Sequence, residues 1–237
     1  MGAPAMGARV PKEYLCAWRT YMKRVLILIL MTTIAAGLFA QDISLSKPPA
    51  KLGIDIMDAI KARSAARAFV KKDVSVADLS AIVWAGNGQK GPDAVSAASK
   101  AGATIPVSGD VNYVNMYVLT TKGAFFYQPA GNVLKQVNKK DVRGDVTQEN
   151  IAAAALMVLF TVDNTKAPAF LKSMPALMHD IAVGTASYGA QNIGLVAAGL
   201  KLSSIVMYNI KPDAVAAGLK LSKDEQPLFI MQIGYTQ

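Results

Sequence analysis

Residues 178–200 carry the most apolar helical pattern in the chain, and one side of it is built from small residues: Ala182, Gly184, Ala186, Gly189 and Ala190. A helix with such a side lets another backbone approach closely, so this segment is expected to be buried inside a domain and not laid over its surface. Gly199 is placed to close it. A second constraint is the run 156–162, LMVLFTV, which is apolar throughout. It is short, bounded and rich in β-formers, so it reads as a strand covered on both faces and therefore central in a sheet.

The remaining segments fill in around these two. Ile56, Met57, Ala59 and Ile60 recur at helical spacing through 55–66. Ser75 followed by Asp78 is a capping pattern for a second helix carrying Leu79, Ile82, Val83 and Trp84, stopped at Gly86-Asn87-Gly88. Residues 88–110 show no sustained period and read as a long loop, a kind of segment that inside a domain usually has a task. The run 113–119 alternates, Gly123 turns the chain and 124–127 returns, which predicts a hairpin. After the long helix come a short strand at 203–208, a helix at 212–219 introduced by Pro212, and a final strand at 227–235. Helices around a mixed or antiparallel sheet make the fold class α+β.

Upstream, Met22-Lys23-Arg24 precedes fifteen uncharged residues, 25–39, and Ala40-Gln41-Asp42 restores polarity. A basic start, an apolar stretch of that length and a small residue at the exit fit a secretory signal peptide over 22–40. A retained N-terminal anchor is the alternative, because Leu38 stands where a small residue is preferred. Translation is then expected to start at Met22, with 1–21 a non-native extension. Residues 41–54, polar and holding Pro48-Pro49, read as a linker arm to a domain at 55–237. Removing the five basic residues and one acidic residue before Gln41 takes the formal net charge from +9 to +5. No basic run exceeds the pairs Lys71-Lys72 and Lys139-Lys140, so nucleic acid is not an expected partner. The one Cys, Cys16, lies in the discarded part, which leaves no disulfide or thiolate chemistry downstream. His179 is the only histidine, so neither a metal site nor a Ser-His-Asp triad is indicated. No Gly-x-Gly-x-x-Gly stands between a strand and a helix, so the sequence offers no Rossmann nucleotide site.

Several separated segments share one pattern. Lys61-Ala62-Arg63-Ser64-Ala65-Ala66-Arg67-Ala68-Phe69 resembles the Arg-Arg-Ser-x-Arg-x-Phe opening of the FMN-dependent nitroreductase family. The stretch from Pro106-Val107-Ser108-Gly109 through Asn112 to Val118 is similar to the Pro-Ser-Ala-Gly loop and strand of its SagB-like dehydrogenase branch, and Phe126-Tyr127-Gln128-Pro129 to its Tyr-x-Pro turn. Gln191-Asn192 within the long helix and the segment from Gln226 to Tyr235 resemble further family elements. The resemblance spans about 55–235 and rests on the collinearity of these segments.

That resemblance implies a nitroreductase-like fold, a mainly antiparallel central sheet surrounded by helices, and noncovalent FMN at the interface of a homodimer. It would place Arg63 at the phosphate or ribityl end and Arg67 at the pyrimidine edge of the flavin. Val107, Ser108 and Gly109 would approach the ring with Gln191 nearby, and Ser64, Asn112 and Ser204 would complete the cofactor set. The flavin would carry the chemistry, so no catalytic side chain is assigned. Two arginines four apart on a helix end can serve two ends of an anionic ligand, and are equally an ordinary exposed i, i+4 pair. Departures stand beside the matches: Ser64-Ala65 where the family has Arg-Ser, Val107 for Ser, Tyr113 for Pro, and Met207-Tyr208-Asn209 where glycines are common. The expected function is that of an exported, periplasmic or envelope-associated oxidoreductase. It would act by two-electron reduction or dehydrogenation of a small conjugated or nitro-aromatic substrate, with NAD(P)H or a redox partner as donor. The alternative is a non-catalytic binding protein on the same fold that has lost flavin.

Overall fold

The computed structural model describes residues 41–90, 102–147 and 154–237 together with Met22. The expected N-terminal extension, the expected signal or anchor segment apart from Met22, and positions 91–101 of the expected loop lie outside the described residues. Among those described, no helix is long and apolar enough to cross a membrane.

Seven strands make one sheet: β1 Ile43–Ser44, β2 Val114–Thr120, β3 Gly123–Gln128, β4 Val133–Asn138, β5 Leu156–Asp163, β6 Ser203–Met207 and β7 Glu225–Gly234. Their spatial order is β1-β4-β3-β2-β5-β7-β6, and every neighbouring pair is antiparallel. The apolar run expected to be central is β5, which pairs with β2 on one side and β7 on the other; its residues from Leu156 to Val162 are buried on both faces.

Two strands differ from the sequence expectation. β4 shows little alternation because Lys135, Gln136 and Asn138 intervene among its apolar residues; its neighbour β1 is only two residues long, which leaves β4 partly open to water. The arm expected at 41–54 carries β1 itself: Ile43 pairs with Leu134 and Ser44 with Val133, and the Asp42 carboxylate meets the Lys135 ammonium at 2.6 Å.

Helices cover both faces. α2 (Val76–Asn87) and α5 (Pro175–Gly199) lie with the larger core cluster and α1 (Ile56–Ala62) packs on α5, while α3 (Arg143–Val146) and α6 (Pro212–Leu219) close the smaller one; α4 (Ala169–Lys172) is a single turn before α5. The Ser75 hydroxyl accepts from the Asp78 N–H at 3.0 Å, as the cap pattern predicts. In α5, Ala182, Ala186, Ala190, Ile193 and Ala197 form the buried stripe. A Cβ on Gly189 would collide with the Gly86 carbonyl oxygen, so the two helices cross backbone to backbone where only hydrogen fits. This crossing holds α2 and α5 together over the sheet.

α1 is shorter than the 55–66 expected. It ends at Ala62, and Arg63 is its C-cap with extended backbone (φ −61°, ψ 121°). The Ala-rich segment that follows favours helix on propensity alone, yet Ala65 forms a parallel bridge to Ser204 on the sheet edge and Val70 an antiparallel one to Tyr235. Tertiary pairing thus overrides local preference.

Candidate functional site

The long helix and the edge strand do not close on each other. Between α5 and β6 runs a cleft of about 270 Å³ lined by Arg63, Ala65, Ser187, Ala190, Gln191, Gly194, Ser204 to Val206, Phe229 and Met231. Helical spacing puts Ser187, Ala190, Gln191 and Gly194 on one side of α5, and the two-residue period of a strand puts Ser204 and Val206 on one face of β6. Phe229 and Met231 of β7 form the floor. Phe229 is fully buried and its ring lies 5.3 Å from that of Phe160 and 5.2 Å from that of Tyr208, which is 63% exposed and continues the Ser204–Val206 row.

Arg63 reaches the cleft along Gly194, where an added Cβ would sit 3.4 Å from the arginine Cδ. It makes no ion pair among the described residues, so its charge is available to a ligand. The Gln191 amide, exposed, has no hydrogen bond there either. The Ser187 hydroxyl donates to the Val183 carbonyl at 2.7 Å. The constellation is an apolar floor with one cation, one primary amide and two hydroxyls, a donor set suited to a flat, partly polar organic ligand.

The structure gathers three of the expected site residues, Arg63, Gln191 and Ser204, in this cleft. Ser64 lies beside it in the chain and is exposed. Arg67 is exposed and outside the lining; because the helix ends before Arg63, the two arginines are not an i, i+4 helical pair, and their Cα atoms can stand up to about 13 Å apart. Val107, Ser108 and Gly109 do not line the cleft. They form a 3-10 turn in which Gly109 adopts φ +65°, and its Cα approaches Pro168 so nearly that a Cβ would lie 3.0 Å from the proline Cγ. Asn112 is engaged structurally: its amide donates to Asn87 Oδ1 at 2.6 Å, and its own Oδ1 accepts from the Val114 N–H at 3.2 Å. His179 is exposed on α5, and among the described residues no group of three His, Cys, Asp or Glu gathers as for a metal.

Sequence reasoning missed the floor residues Phe229 and Met231, which look like any apolar strand. It also missed a polar cluster on the opposite face of the sheet. Glu225 accepts from Asn115 Nδ2 at 2.7 Å, the Tyr117 hydroxyl at 3.1 Å and the Thr161 hydroxyl at 2.5 Å, tying β2, β5 and β7 together. Burial, then the Glu225 charge, pushes the Tyr117 hydroxyl far above its ordinary pKa, so it stays a donor. Burial works to raise the neighbouring Asp163, but hydrogen bonds from Thr165 and Lys166 outweigh it and hold the carboxyl below its usual range. Thr161 and Asn115 are buried and hydrogen-bonded, which makes this cluster a brace for the sheet.

Comparison with known proteins bears on the same region. The model of the Nitroreductase family matches residues 60–235, and the chain belongs to that family. No curated protein is detectably similar in sequence. Among solved structures, a putative nitroreductase from Ralstonia eutropha superposes with a TM-score of 0.73 at 23% identity, covering 83% of this chain and 90% of that one. The E. coli microcin synthetase McbBCD complex matches at TM-score 0.59 and 17% identity over 82% and 78% of the two chains. An NADPH:FMN oxidoreductase from Vibrio harveyi, complexed with NAD+, matches at 0.54 and 17% over 77% and 69%. These likenesses establish the α+β nitroreductase-like fold.

Proposed function

Taking membership of the nitroreductase family as premise, we propose that the chain is an exported FMN-dependent oxidoreductase that reduces or dehydrogenates a small conjugated or nitro-aromatic substrate. The observation that carries this reading is the unpaired Arg63 guanidinium beside an apolar floor of Phe229 and Met231 in the α5–β6 cleft. The donor set fits a flavin in kind. Phe229, Met231 and Ala190 would bear on its ring, and Gln191, Ser204 and Arg63 on its polar parts. FMN, when bound, supplies the two-electron transfer; the chain binds it, orients it and keeps water from its buried face.

A volume of 270 Å³ lies just below the ~300–1,000 Å³ typical of ligand sites. In this reading the chain acts as a homodimer. Exposed Ile56, Met57 and Ile60 on α1, with the groove between residues 49–56 and Leu195-Val196 of α5, give a second copy an apolar face to bury. The electron donor in this reading is NAD(P)H or, outside the cytoplasm, a redox partner.

The competing reading, a binding protein that has lost flavin, draws on Ala65 where a hydroxyl is usual and on Arg67 standing outside the lining. Titration of the purified chain with FMN separates the two. A yellow complex with quenched flavin fluorescence that reduces a nitro-aromatic supports the enzyme, and no binding at ~100 μM, where even about 5 kcal/mol would register, overturns it.

A further inference from the structure

The polar groups that meet in the α5–β6 cleft suit neutral partners better than a phosphate. A phosphate monoester presents only acceptors and calls for several cations or a fan of free N–H donors, most often at a helix N-terminus. Here α5 passes the cleft with residues 187–194, the middle of a helix running from Pro175 to Gly199, where backbone N–H groups are spent on the carbonyls one turn back. One charged side chain lines the cleft among the described residues, Arg63, and it is exposed, so solvent screens it. Arg67 stands outside the lining, and the Lys72 ammonium is drawn 4.0 Å over the Tyr235 ring.

What the cleft holds instead are groups that both donate and accept: the Gln191 amide, the Ser204 hydroxyl and the peptide groups of β6. That strand has β7 on one side only, so alternate N–H and C=O groups face outward, the Ala65 bridge using the Ser204 position. Two-way groups of this kind match ribityl hydroxyls and the imide edge of an isoalloxazine, which also donate and accept.

We propose that this cleft recognises a flavin by its ring and ribityl chain, so that riboflavin serves as a ligand nearly as well as FMN. The inference rests on the flavin reading above. In its test the purified full chain, freed of bound flavin, is titrated separately with FMN and with riboflavin, and quenching of flavin fluorescence gives each dissociation constant. The expected result is that the two constants lie within ten-fold of each other, about 1.4 kcal/mol at most. FMN binding more than ten-fold tighter than riboflavin overturns the proposal and leaves the flavin reading standing. Absence of quenching by either ligand up to ~100 μM overturns both together.

Discussion

Helix α5 has two long seams, and they are built in opposite ways. Toward α2 it is closed: Gly189 meets the Gly86 carbonyl with no room for a side chain, Gly86 in turn has Ile193 and Met116 against it, and the Asn192 amide reaches the Ala85 and Thr104 carbonyls at 3.3 and 3.4 Å. Toward β6 the same helix stands off, and Ser187, Gln191 and Gly194 face a cleft. Gln191 and Asn192 are neighbours in sequence, but a helix turns about 100° between them, so one amide serves the ligand side and the other the packing. Small residues therefore do two jobs in one helix. Where a second backbone is pressed on them they give contact, and where none is they give space.

Substitutions test that division, beginning with the floor of the open seam. Phe229→Ala removes the fully buried ring under the cleft and beside Phe160; a loss of about 3–5 kcal/mol is expected in urea unfolding, with flavin binding abolished. Gly189→Ala intrudes on the closed seam alone, and a backbone carbonyl cannot step aside, so stability should fall by about 1–3 kcal/mol. An unfolding midpoint unchanged from the parent would show that the seam is looser than described. Gly184, on α5 one turn before Ser187, has nothing within 4 Å of a built Cβ, and Gly184→Ala should raise stability by about 0.5–1 kcal/mol through helix propensity. Arg63→Ala should leave stability within about 0.5 kcal/mol, since the side chain is exposed and unpaired, while any flavin affinity moves measurably by fluorescence titration. An Arg63→Ala chain that lost fold and ligand together would erase the distinction between the seams.

Much of this arrangement was legible in the residues. β5, α5, the β2–β3 hairpin and α6 each carry a period or a punctuation mark strong enough to read locally, and the collinear segments pointed to the family that residues 60–235 match. β4 and β1 were not legible, because strands toward a wet sheet edge need no alternation. The early end of α1 was hidden for another reason: nothing in Ala62 to Ala68 announces that Ala65 will pair with Ser204, 139 positions away. Within the cleft, Arg63, Gln191 and Ser204 are polar residues that the sequence reading singled out, and the fold brings them together. Phe229 and Met231 were not singled out, because cleft floors and ordinary cores are made of the same side chains. The 107–112 segment lies elsewhere in this chain because Gly109 packs on Pro168 and the Asn112 amide is taken by Asn87.

Two residues at the far border of the sheet carry a practical message. Ile43 and Ser44, clamped by Asp42 on Lys135, are what shields the outer rim of β4. Any protease nick or shortened recombinant product that begins beyond Ser46 would strip that guard and leave a bare row of peptide groups. Such a product should clump through rim-to-rim pairing even though every cleft-lining residue is still in place.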